Sequence, residues 1–151
     1  MHAVITWVSA PVNLVLIAVV IGAIIDVSIR WIPDTFTAVT AGALVASALH
    51  AGITPTQTID GVLCAIIAFL VYVELGVYGY FGGGDVKFIP IPAAILGAVS
   101  PALALVWFTA TIGLAGGLSA TGRAMGLPAG IPHLPAVAVT FAAASCLAVI
   151  F

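Results

Sequence analysis

The chain of 151 residues is 64% hydrophobic and 5% charged, with a mean hydropathy of +1.36. Soluble domains carry about 25% charged residues, so this composition excludes a water-soluble enzyme and indicates a polytopic membrane protein with almost no extramembrane domain. A net charge of −2 without a basic patch gives no support to a nucleic-acid partner.

At about 20 residues per span, the length allows roughly six transmembrane helices in an all-α bundle. The first is expected from Val12 to Ile29, roughly 27 Å at about 1.5 Å per residue. The N-terminus lacks a basic leader region, so this stretch reads as a retained span and not a cleaved signal peptide. Arg30-Trp31, a cation and an interfacial aromatic, mark the membrane surface. The second span is expected over Phe36 to His50, followed by a Gly52–Pro55 turn. The third covers Thr58 to Tyr78 and leads into Gly79-Tyr80-Phe81-Gly82-Gly83-Gly84. The fourth begins near Asp85 and ends before Ser100-Pro101; Pro90 and Pro92 should bend it or loosen its first turn. The fifth runs from Ala102 to Leu118, and the sixth from Leu134 to Phe151. Gly122 to Pro135 reads as a non-helical loop because of its Gly and Pro content. No repeat or linker divides the chain, so residues 1–151 read as a single domain.

Arg30, Lys87 and Arg123 are all the Lys and Arg of the protein, and they fall in the loops after spans one, three and five. The positive-inside rule puts those loops in the cytoplasm and both termini outside. Asp26 and Asp85 then approach the same surface.

An acid inside an apolar helix costs about 2.5–3.5 kcal/mol at mid-bilayer, and less toward the interface, so Asp26 is a functional candidate. Arg30, four residues on, also satisfies a plain ion pair with it. Asp85 follows Gly82-Gly83-Gly84, where glycine permits unusual backbone angles and close approach of another chain. A simple helix N-cap fits Asp85 as well. Two nearby carboxylates offer more: one stays protonated as acid while the other acts as base on a water. That chemistry requires spans one and four to pack together. Asp34 reads as a cap of the second span. Glu74 suits a pair with Lys87 or Arg30, or a wet cavity, and Asp60 suits the first turn of span three. His2, His50 and His133 share no metal-ligand spacing and suit the interface. Cys64 and Cys146, outside any paired motif, read as small buried hydrophobes.

At Asp26-Val27-Ser28-Ile29-Arg30-Trp31-Ile32-Pro33-Asp34 and Gly82-Gly83-Gly84-Asp85-Val86-Lys87, the chain resembles the type IV prepilin peptidases and preflagellin peptidases, aspartyl proteases of the Gly-x-Gly-Asp type. Their pattern is an Asp, a basic stretch and Ile-Pro-Asn, then Gly-x-Gly-Asp-x-Lys. The resemblance implies Asp26 and Asp85 as catalytic aspartates, with Gly82, Gly83, Gly84 and Lys87 as motif and substrate-positioning residues. It implies a membrane endopeptidase that cuts the basic leader from a prepilin-like subunit at the cytoplasmic face, without cofactor or metal. Nothing in the chain resembles the Cys-x-x-Cys domain of larger, methylating relatives, so methyltransferase activity is not implied. The compact form is similar to the peptidases of tight-adherence pili. Two departures stand out: Ile-Pro-Asp replaces Ile-Pro-Asn, and His133-Leu134 stand where the family more often has an aromatic and glycine. The competing readings are a proton-coupled small-solute transporter, since intramembrane acids also mark ion pathways, and a non-catalytic assembly subunit. The sequence leaves the client and the oligomeric state open.

Overall fold

The computed structural model describes residues 2–126 and 132–148, leaving aside the side chains of residues 2–8 and 123. The described residues form helices joined by short links, as apolar runs in lipid must, because a helix satisfies its own backbone polar groups there. In order come α1 (His2–Ile29), α2 (Asp34–His50), α3 (Pro55–Val77), α4 (Gly83–Phe88), α5 (Pro90–Val99), α6 (Pro101–Ala124) and α7 (Leu134–Ala148). The stretches Ser9–Ile29, Pro55–Val77 and Pro101–Gly122 are long and apolar enough to cross a membrane by length and composition.

Local chemistry sets the boundaries. A capping box opens α3: the Thr54 N–H donates to Gln57 Oε1 at 2.9 Å, and the Gln57 N–H to Thr54 Oγ1 at 3.4 Å. Pro55 follows as the first helical residue, where its missing N–H costs nothing. Gly52, at φ 73°, makes the turn before it. At the far end of α1, Arg30 adopts φ 55°, a left-handed conformation that helix ends usually give to glycine.

Three boundaries differ from expectation. The helix of the first span begins well before Val12, because α1 continues through Pro11, while the stretch apolar enough to cross a membrane starts at Ser9, close to expectation. Gly122 is the antepenultimate residue of α6 and not the start of a loop, while residues 127–131 of that loop and the span's expected end at Phe151 lie outside the described residues. The fourth span is two helices. Pro90 has no N–H to donate back along the ladder, so α4 and α5 meet at Ile89, whose own backbone stays helical at φ −56°, ψ −34°.

The short α5 forms the centre of the bundle. Ile91, Pro92, Ala93, Ile95, Leu96, Gly97 and Ala98 are all buried, against α3, α6, α1 and α7. Its closest neighbour is α3, and small residues make that approach possible. A Cβ on Gly61 would lie 2.7 Å from the Ala94 carbonyl oxygen, and one on Gly97 would lie 2.6 Å from Cys64 Cβ. The outer face of α3 exposes Ile59, Val62, Leu63, Ile66, Ile67 and Leu70, a surface made for lipid. Cys146 shares such an exposed position, so only Cys64 is partly buried as expected.

Contacts between distant residues gather the ends of the spans. Asp26 meets Leu134, Asp34 meets Lys87, and Tyr72 meets His133. The links after the first, third and fifth spans therefore lie at one end of the bundle, as strict alternation requires.

Candidate active site

Asp26 occupies the last turn of α1 and is 7% exposed. Its Oδ2 accepts a hydrogen bond from the Leu134 backbone N–H at 3.0 Å. Leu134 is the first residue of α7, and an N–H there has no partner within its own helix. A carboxylate at this end also meets the favourable pole of the helix dipole.

Asp85 is 8% exposed and sits on α4, three residues after the N-cap Gly82. It is therefore not the cap itself. Its Oδ2 reaches back to accept the Gly82 N–H at 3.1 Å, in the manner of the acid of a capping box. Its Oδ1 is buried and has no hydrogen-bond partner. Each carboxylate thus has one oxygen held by a backbone donor at a helix start.

Both acids line one cavity of about 180 Å³, together with Arg30, Trp31, Ile32, Gly82, Gly83 and Gly84. A liquid water takes about 30 Å³, so the space accommodates several waters. The motif glycines differ in what they do. A Cβ on Gly84 would stand 3.1 Å from both the Ile32 nitrogen and Ile32 Cβ, so the link after α1 lies against α4 at that point. One on Gly83 would meet nothing within 4 Å, and one on Gly82 only Asp85 Oδ2 at 3.5 Å. Positive φ is not the reason for these glycines: Gly82 is extended at φ −76°, ψ 155°, and none of the three has a positive φ.

Lys87 does not line the cavity. Its Nζ donates to Asp34 Oδ1 at 2.8 Å and Oδ2 at 3.0 Å, joining α4 to the start of α2. Asp34 is not a cap either; Pro33 holds that position, and Asp34 is the first helical residue. The extra negative charge of Ile-Pro-Asp is therefore matched by the motif lysine. Glu74 lies exposed on α3.

His133 was expected at the interface but is 6% exposed. Its Nε2 shares a 2.7 Å hydrogen bond with the Tyr72 hydroxyl, and its ring centroid lies 4.3 Å from that of Phe81. Burial lowers its pKa to about 4, so the imidazole is neutral at physiological pH. Neither the Leu134 donor nor this aromatic cluster was apparent from sequence. The only signal was that His133-Leu134 depart from the family pattern.

Comparison with curated proteins and with solved structures gave no match. A family model described as the type IV leader peptidase family matches residues 13–151, a stretch that contains both aspartates and every motif residue. The chain is a member of the type IV leader peptidase family.

Proposed function

We propose that this protein is an aspartyl endopeptidase that removes the basic leader from type IV prepilin-like subunits, with Asp26 and Asp85 as its catalytic pair. The observation that carries this reading is the shared cavity. Two buried carboxyl groups face it, each tethered through one oxygen, and Asp85 Oδ1 remains without a partner.

Two carboxyl groups in one small site favour a state with a single proton between them. The ionised member takes a proton from a cavity water as that water attacks the scissile carbonyl. The protonated member gives its proton to the developing oxyanion. Collapse of the tetrahedral intermediate breaks the C–N bond and sends a proton to the leaving amine. The backbone tethers fix the direction of each carboxyl without adding a titratable partner.

The substrate approaches along the glycine segment, where Gly82 and Gly83 leave room beside the cavity. Lys87 acts indirectly, by holding α4 to Asp34. The distribution of Arg30, Lys87 and Arg123 supports a cytoplasmic location for this end of the bundle, with both termini outside. That is the side on which a short basic leader would wait to be cut. Residues 1–151 act as a single peptidase domain in this reading, and cleavage requires no methyltransferase activity.

Co-expression with a tagged prepilin from the same genome tests the proposal. Wild type should convert precursor to the smaller product. Asp26→Asn and Asp85→Asn should each abolish conversion while accumulating in the membrane. A variant of either aspartate with near-normal cleavage would refute the shared pair.

A further inference from the structure

We infer that His133 is a positioning residue for both carboxyl groups, acting through a buried cluster with Tyr72 and Phe81; the inference rests on the proposed Asp26–Asp85 pair. Two members of the cluster, His133 and Phe81, each lie next to a backbone donor of the site. His133 immediately precedes Leu134, whose N–H holds Asp26 Oδ2. Phe81 immediately precedes Gly82, whose N–H holds Asp85 Oδ2. The His133 and Phe81 rings meet at a tilt, 4.3 Å between centroids; Tyr72 stacks on Phe81 at 4.7 Å and lies tilted against His133 at 5.4 Å. One aromatic cluster thereby joins the two peptide units that aim the acids.

His133 also immediately precedes α7. Its carbonyl accepts from the Ala136 N–H at 3.0 Å and the Val137 N–H at 3.4 Å, so the direction of the helix and the Leu134 N–H follow from where His133 sits. Leu134 is settled on α1 beside Gly22, one turn before Asp26; a Cβ on Gly22 would come within 2.7 Å of Leu134 Cδ2. A shift of His133 therefore moves the donor relative to an acid that α1 holds in place.

Packing alone does not account for an imidazole here. Its Nδ1 is buried with no hydrogen-bond partner, which is a cost that a phenylalanine of similar size would avoid. What the imidazole adds is a directional bond to Tyr72, and Tyr72 is itself fully buried on α3. That bond fixes the ring's rotation, and with it the peptide that follows.

The test uses the purified full chain in lipid nanodiscs, a tagged prepilin, and Tyr72→Phe, His133→Phe, His133→Gln and Asp85→Asn. Cleavage rates are measured against substrate concentration and pH, and Tm is measured alongside. Tyr72→Phe keeps the ring stack and removes only the hydroxyl. It should lower kcat by about 10-fold or more with little change in KM, since small misplacements of catalytic groups cost up to about 10²-fold. The pH profile should shift as well. His133→Phe should match it, a variant carrying both Tyr72→Phe and His133→Phe should be no worse than either single, and His133→Gln, which can still accept from Tyr72, should recover part of the rate. If His133→Phe does not fold, Tyr72→Phe carries the test alone. Unchanged kcat and pH profile in Tyr72→Phe, with only Tm reduced, would overturn the inference and leave the cluster as packing. Normal cleavage by Asp85→Asn would instead remove the dyad reading, and this inference with it.

Discussion

Gly84 and Gly83 are adjacent, share a motif and both line the cavity, yet the structure predicts opposite consequences for adding a methyl group. On a short helix such as α4, replacing glycine with alanine gains about 0.5–1 kcal/mol in helix propensity and chain entropy. At Gly83 nothing opposes that gain, because the new Cβ meets open space. At Gly84 the Cβ would press on the Ile32 backbone nitrogen and Cβ at 3.1 Å. Backbone cannot rotate aside as a side-chain end can, so α4 must back away by a few tenths of an ångström. Overpacking of this kind costs about 1–3 kcal/mol, which leaves Gly84→Ala net destabilised by about 0–2.5 kcal/mol after the propensity gain. The catalytic effect is larger, because Asp85 is the next residue and moves with the helix. On the scale of about 10²-fold for a 1 Å misplacement, a shift of a few tenths of an ångström should lower kcat by about 3- to 10-fold. Gly83→Ala should keep kcat and show any loss in KM, where an incoming peptide meets the methyl group. The assay is prepilin cleavage by each purified variant, with Tm from thermal unfolding in the same micelles. Equal kcat losses in the two variants, or a wild-type kcat in Gly84→Ala, would refute this account of the motif.

The Lys87–Asp34 pair is 54% and 65% exposed at its side chains. Exposed pairs contribute about 0–1 kcal/mol, so Lys87→Ala and Asp34→Asn should each reduce Tm slightly, less so in high salt, and leave most of the cleavage activity; complete inactivation by either would show that the pair does more than hold α4. Gly97→Ala should destabilise the α3–α5 contact by about 1–3 kcal/mol, because its methyl would overlap Cys64, and a Cys64→Ala change should relieve part of that loss of Tm. Burial pushes the His133 pKa down from its ordinary 6.5 to about 4. Its folded pKa is depressed, so stability is full above pH 6.5 and falls as pH drops toward 4, by on the order of 3 kcal/mol at most. Wild type should therefore lose more Tm between pH 7 and pH 4.5 than His133→Gln does, and identical acid-side curves would contradict the burial of a neutral imidazole.

Much of the helical layout was legible because lipid makes the rule simple: an apolar run must become a helix. The Pro90 break was also foreseeable from the missing N–H. The extension of α1 through Pro11 was not, since Pro11 weakens the helical signal although the chain tolerates it. At the site, the two aspartates stood out as residues that an apolar span does not otherwise contain, and the Gly82-Gly83-Gly84 run marked the second of them. Their partners did not. Lys87 and Asp34 are 53 residues apart, Tyr72 and His133 are 61 apart, and Asp26 and the Leu134 N–H are 108 apart. No local pattern carries such pairings. Tyr72 was hidden for a further reason: in an apolar span a tyrosine reads as bulk, and only the structure shows what its hydroxyl meets.

The manner in which the acids are held has its own consequence. A lysine in direct contact would favour full ionisation of its carboxylate and work against a proton shared between the two. Backbone N–H groups at helix starts orient a carboxyl oxygen without bringing a formal charge or a group that titrates. Asp26 takes such a donor from α7, and Asp85 takes one from the beginning of its own helix. The motif lysine is meanwhile engaged by Asp34 outside the cavity lining. Asp34 thus fastens α4 to the start of α2 through Lys87, and an aspartate in place of the family's usual asparagine does this with a full charge.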